Sequence, residues 1–271
     1  MFATSAGFVI PTRPAGTATI HTDRIAHGVT ALTGGVRYGL FLCDATISQP
    51  VVSLRYLEAA VGEQFGFFDK AAQFLEAATE AELGAAATEY CRLMLRGSGQ
   101  LQSSVASMSI GVELASRVHR LHPLAYLQAT AACLGACSDS AAEQATAAGR
   151  CDWAGIDLVG AMQRQAGFMR QVLVARPVLD QPDAIASSVR QYRRFLELAR
   201  DAPEQPLAPT VPIDLVWHAH QQRPERYGAE CVGIAGRFLD HDDEVPEAEL
   251  ERLAVSTGMA WQATYGDPLL G

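Results

Sequence analysis

The sequence is poor in most features that place a chain quickly. It has no CxxC pair, no basic start followed by a long apolar run in MFATSAGFVIPTRP, and a single lysine, Lys70, among 21 basic residues. Without CxxC there is no local zinc or redox motif, so Cys43, Cys91, Cys133, Cys137, Cys151 and Cys231 are expected to be reduced thiols. No stretch reaches the apolar length of a membrane span, which makes a membrane partner unexpected and an intracellular, cytoplasmic location the expectation. Basic residues are outnumbered, 21 against 30 acidic, for a formal charge of -9. That balance opposes general binding to phosphate backbones, and no nucleic-acid partner is expected. The lone lysine in an Ala-rich chain reads as coding bias and carries no functional weight. What is present is globular composition: 271 residues, 49% apolar and 19% charged, with 23 Gly and 13 Pro. The length allows one large domain or two ordinary ones.

The chain changes character near residue 44. From Gly7 to Cys43, short β-branched and aromatic runs are broken by Pro and Gly, the pattern of three or four strands joined by turns. From Asp44 onward the apolar period is helical. Phe67, Phe68, Ala71, Phe74, Leu75 and Ala78 make one stripe. Thr79 followed by Glu82 is a capping box for the next helix, which carries Leu83, Ala86, Tyr90 and Met94. Asp157 can cap a helix through Leu158, Met162, Met169 and Val172 that Pro177 soon stops. Ile185, Val189, Tyr192, Phe195 and Ala199 define another, and a last helix starts near Pro246 and runs through Trp261. The Ala-rich stretch from Ala129 to Gly149 reads as a surface hairpin or linker. No internal repeat is visible.

Within the β segment, His27-Gly28-Val29 and Gly35-Val36-Arg37-Tyr38 resemble the closing strands of the iron(II)/2-oxoglutarate dioxygenases, the prolyl-hydroxylase-like group in particular. The resemblance implies that His27 is the last iron ligand and that Arg37 pairs with the distal carboxylate of 2-oxoglutarate. A three-residue loop at Thr33-Gly34-Gly35 puts His27, Val29, Ala31 and Arg37 on one face, whereas a two-residue loop turns Arg37 away. The family also needs a His-x-Asp pair on an upstream strand to complete two histidines and a carboxylate. His21-Thr22-Asp23 matches literally but lies too close to His27, with Asp23 suited to a turn. About forty residues cannot close a barrel, so the segment reads as the severed end of a double-stranded β-helix.

A longer series follows. Val211-Pro212-Ile213-Asp214-Leu215-Val216-Trp217-His218-Ala219-His220 precedes Pro224, Tyr227 and Cys231, then His241-Asp242-Asp243, and Thr257, Trp261 and Tyr265. Upstream lie Asp157-Leu158-Val159, Arg164-Gln165 and Phe168, then Tyr192 with Phe195-Leu196. This series resembles the glycine-rich-domain-containing-protein-like family over roughly residues 105 to 271. The resemblance implies a helical fold and assigns Arg164, Gln165, Asp214, Trp217, His218, His220, Tyr227, His241, Asp242 and Asp243 to the family motif. It implies no reaction, and the glycine-rich tail that names the family is not in this sequence.

The His-x-His segment has two physical readings. As a strand, His218 and His220 share a side and can chelate one metal, with Cys231, His241 or Asp243 as further ligands. As a helix, residues two apart point nearly opposite ways and cannot share an ion. The residues favour the helix: Thr210 suits a cap, Pro212 a first turn, and Asp214 the positive end of the dipole. Ile213, Val216, Trp217 and His220 then form one stripe, with His220 buried against Trp217 and His218 one turn above Asp214. The same weighing makes His241-Asp242-Asp243-Glu244 a polar loop whose aspartates cap the helix near Pro246. Arg190, Arg193 and Arg194 read as a solvated face or as partners for surplus carboxylates. His119 and His122 read as the end of a helix before Pro123, and Cys133 and Cys137 have no complementary ligand pair nearby.

The expected protein is mainly α, with a truncated dioxygenase-like β segment at 1–43, a helical connector at 44–104 and a helical domain at 105–271. The expected function is a non-catalytic binding or interaction module with a protein partner and no cofactor. The alternative is a fragment or subunit of an iron(II)/2-oxoglutarate dioxygenase, in which Fe(II) and 2-oxoglutarate would be held only once the enzyme was completed.

Overall fold

The computed structural model describes residues 2–4, 7–9, 52–95, 108–135 and 156–269. Two short antiparallel strands, β1 (Phe2–Thr4) and β2 (Gly7–Val9), pair Phe2 with Val9 and Thr4 with Gly7. The expected strands around His27 and Arg37 lie outside the described residues, as do the expected boundaries at 43/44 and 104/105. The described fold is otherwise helical: α1 (Leu57–Ala77), α2 (Glu80–Leu95), α3 (Ile110–Arg120), α4 (Pro123–Gly135), α5 (Leu158–Leu179), α6 (Ala184–Asp201), α7 (Val211–Gln221), α8 (Pro224–Ala235) and α9 (Glu247–Tyr265).

Local chemistry sets most of these ends. Thr79 and Glu82 close the capping box: the Thr79 N–H donates to Glu82 Oε2 at 2.8 Å and the Glu82 N–H to Thr79 Oγ1 at 3.3 Å. The Gly160 N–H donates to Asp157 Oδ1 at 3.0 Å, which starts α5, and α5 ends at Leu179, two residues past Pro177. At α7, Thr210 holds the N-cap position without using its hydroxyl, and Pro212 sits in the first turn. α3 ends at Arg120, and Pro123 opens α4.

α1 is the centre of the packing. It lies against α3, α5, α6 and α7, while α2 packs on α3 and α5, α4 on α3, and α8 on α6 and α7. A single apolar cluster runs from Leu57 and Phe68 on α1 through Met169 and Tyr192 to Trp217 and Trp261. α7 departs from the one-stripe expectation, because every residue from Leu215 to Gln221 is buried. A helix enclosed on all sides must satisfy its polar groups internally. α9 is the opposite case, burying only Thr257 and Trp261 and leaving Val255 and Met259 in solvent.

The cysteines do not all follow expectation. Cys231 is a free, buried thiol, but Cys91 is disulfide-bonded. Short spacing motifs find only neighbours along the chain, whereas a disulfide requires neighbours in space.

Candidate functional site

The two histidines of α7 lead to two separate polar centres, as helical geometry requires for residues two apart. On one face, His220 is fully buried. Its Nδ1 lies 3.0 Å from the Tyr192 hydroxyl of α6 and its Nε2 lies 3.1 Å from Glu230 Oε2 of α8. Glu230 also accepts from the Tyr56 hydroxyl at 2.8 Å and from Arg226 Nε and Nη2 at 3.0 and 2.8 Å. Burial alone would raise the Glu230 carboxyl, but the contacts from His220, Tyr56 and Arg226 outweigh it and hold the group below its ordinary value. Burial lowers the pKa of His220, favouring a neutral ring. The consistent tautomer has Nε2–H facing Glu230 and Nδ1 accepting from Tyr192.

His220 is buried as expected, and its ring also meets Tyr227 edge-on. Trp217 donates its indole N–H to the Tyr227 hydroxyl at 3.0 Å, and that hydroxyl donates to the Leu239 carbonyl. The large aromatic residues of α7 and α8 thereby fix the start of the segment that leads into α9.

On the other face, His218 Nε2 lies 3.1 Å from His241 Nε2 and 3.4 Å from Asp214 Oδ1, one helical turn below. His241 Nε2 is 3.9 Å from the same oxygen. Asp214 and His218 come from α7, whereas His241 arrives from the irregular segment between α8 and α9. Phe168 covers the His218 ring at 4.3 Å between centroids, and Trp217 stands edge-on to His241 at 5.4 Å. Burial, with the neighbouring His122 and His241 rings, pushes His218 well below its ordinary value. Burial and His122 push His241 down to about 4, and burial raises Asp214 to about 7. Asp214 Oδ1 is buried and accepts no hydrogen bond, and His241 Nδ1 is likewise unpartnered. These three residues are the set among the described residues whose donor atoms converge on one point.

The acidic cluster therefore divides. His241 turns inward, which overturns its reading as part of a capping loop. Asp243 also turns inward, 3.1 Å from Arg164 Nη2 and 3.7 Å from His122 Nε2. Asp242 stays exposed and accepts from the Glu244 N–H at 2.9 Å, so it closes a local turn and caps no helix. Cys231 is not with the histidines, since its thiol donates to the Arg237 carbonyl at 3.5 Å. Gln165 is buried and lines a small cleft beside His218, with Gln64, Phe67, Phe68 and Arg117 among the other walls. The Gln64 amide is buried there without a partner. Arg193 and Arg194 meet Glu197 and Asp267, as expected for partners of surplus carboxylates.

Tyr56, Arg226 and Glu230 are participants the sequence reading missed, and the first and last of them are the hardest to connect. Tyr56 and Glu230 are 174 residues apart, and no local pattern links them. A weak signal did exist for Glu230, because Arg226 and Glu230 have the i, i+4 spacing of a helical ion pair.

Residues 136–230 match the family model described as glycine-rich domain-containing protein-like. That match is narrower at both ends than the resemblance read over 105 to 271, and it does not reach His27 or Arg37. The chain is 32% identical over 118 residues to glycine-rich domain-containing protein 1 of Arabidopsis thaliana and 31% identical over 118 residues to glycine-rich domain-containing protein 2 of the same plant. Each alignment takes in 41% of this chain, but only 14% and 15% of the respective relatives. No solved structure matches the chain.

Proposed function

We propose that this chain is a helical binding module of the glycine-rich-domain-containing-protein-like kind, acting through its surface on a protein partner inside the cell and not by turning over a substrate. The observation that carries this reading is a pair of exposed side chains within the matched stretch. Val174 and Val178, at i and i+4 on α5, are 82% and 70% exposed. Scattered exposed apolar residues are ordinary, but two branched side chains in register on one helix form a small adhesive ridge. The interior is compatible with such a role, since the helices close their histidines and carboxylates inside the bundle.

The dioxygenase alternative is the less favoured reading, because its residues lie outside both the described structure and the family match. Two measurements test the module. Crosslinking in cells should yield a defined partner, and joint Val174→Glu and Val178→Glu substitution should abolish its crosslinks while leaving thermal unfolding unchanged. Purified chain supplied with Fe(II) and 2-oxoglutarate should release no succinate. Succinate release that disappears on changing His27 to Ala would overturn the module in favour of the enzyme.

A further inference from the structure

Three donor atoms on the second face of α7 point to a site that the module reading does not use. We infer that Asp214, His218 and His241 bind one divalent first-row transition ion, of the class that zinc represents, and that the ion ties α7 to the segment between α8 and α9.

The first support is distance. The three atoms are separated by 3.1, 3.4 and 3.9 Å. The point equidistant from all three lies about 2.0 Å from each, which is the bond length of zinc to imidazole nitrogen and carboxylate oxygen. The space between the three atoms is therefore of the size that a first-row ion fills.

The second support is hydrogen-bond accounting. Two imidazoles facing each other through Nε2 can share only one proton, so a bond between the rings leaves Asp214 Oδ1 with no donor. That is the arrangement observed: the oxygen is buried and unpartnered. A buried carboxylate without a donor or cation is costly, whereas one ion satisfies both lone pairs and the carboxylate at once.

The donor set fixes the class. Two imidazoles and one carboxylate suit zinc and its first-row neighbours, whereas magnesium and calcium take oxygen ligands almost exclusively. Three protein ligands also leave a position for water. Phe168 and Trp217 wall the two rings.

The test uses the full chain. After purification without chelator and exhaustive dialysis, metal analysis should find close to one equivalent of zinc or another first-row ion per chain. His218→Ala and His241→Ala should each reduce this below about one tenth of the wild-type level. The exposed neighbour substitution Asp242→Asn should leave it intact. Because a ligand variant can fail to fold, stripped wild-type chain is also titrated with Co(II). The expected spectrum has d–d bands saturating at one equivalent and no thiolate-to-cobalt charge-transfer band, and Asp214→Asn should weaken the binding. Stripped chain that is folded by circular dichroism yet gives no saturable Co(II) or Zn(II) binding would overturn the site. So would a thiolate band abolished by Cys231→Ser.

Discussion

His220 and His218 are two residues apart on one helix and almost equally buried, yet they inhabit opposite electrostatic situations. Around His220, Tyr192 lies on one ring nitrogen at 3.0 Å and Glu230 faces the other at 3.1 Å, with Tyr56 and Arg226 donating to that carboxylate. Around His218, two neutral rings face one another beside a carboxylate oxygen that has no donor. The difference teaches that burial alone does not define a role. A closed network holds helices together through its own protons, whereas an open one is arranged for something that supplies positive charge.

The comparison is sharpest where it should cost most to disturb. His220→Ala leaves the buried Tyr192 hydroxyl without its ring partner, takes one of three neighbours from Glu230 and empties a buried ring site, and a loss of about 2–4 kcal/mol is expected in urea denaturation. Metal-free His218→Ala removes one neutral ring-to-ring hydrogen bond and should lose at least about 1 kcal/mol less than His220→Ala under the same conditions. Equal losses would break the distinction between the centres. Tyr192→Phe deletes a single hydroxyl from the closed network, for an expected cost of about 1–2 kcal/mol.

The pH dependence of the closed network has a defined sign. The folded carboxyl of Glu230 lies below its ordinary value of 4.5, so the folded state binds its proton less readily than the unfolded chain. Its stabilising contribution is present above that range and is lost as pH falls through the depressed folded value. Stability measured against pH should therefore show the wild-type advantage over Glu230→Gln shrinking below pH 4.5. A parallel pair of curves would remove Glu230 from the network. The smallest effect belongs to Asp242→Asn, which touches neither centre and should change stability by no more than about 0.5 kcal/mol.

Much of this architecture was legible because its causes are local. Thr79 and Glu82 lie within one turn, and the helical reading of the His-x-His segment rested on Thr210, Pro212 and Asp214, all within a few residues. The split of His218 from His220 followed from helix geometry alone. What escaped were pairings made by folding. Arg164 meets Asp243 across 79 residues, and His241 reaches His218 across 23 residues that include a whole helix. The His241 cluster was misread because acidic residues before a proline carry a strong local capping signal, and no local signal reports that a loop folds inward. The all-round burial of α7 was missed for a related reason: Asp214 and His218 read as polar positions until other helices enclose them.

The scant grip of α9 on the rest of the bundle bears on how the protein opens. Trp261 is its one large anchor, assisted by Thr257 Oγ1 accepting from the Ala208 N–H at 2.9 Å and by the Tyr265 hydroxyl donating to the Arg194 carbonyl at 2.8 Å. With only Thr257 and Trp261 of its residues buried among the described ones, this helix is expected to detach as its own cooperative unit before the core around α1 and α7 is breached. In native-state hydrogen exchange its amides should form a separate low-protection class, released in a step that leaves the remaining helices folded. The final nineteen-residue helix is thus the bundle's first page to turn.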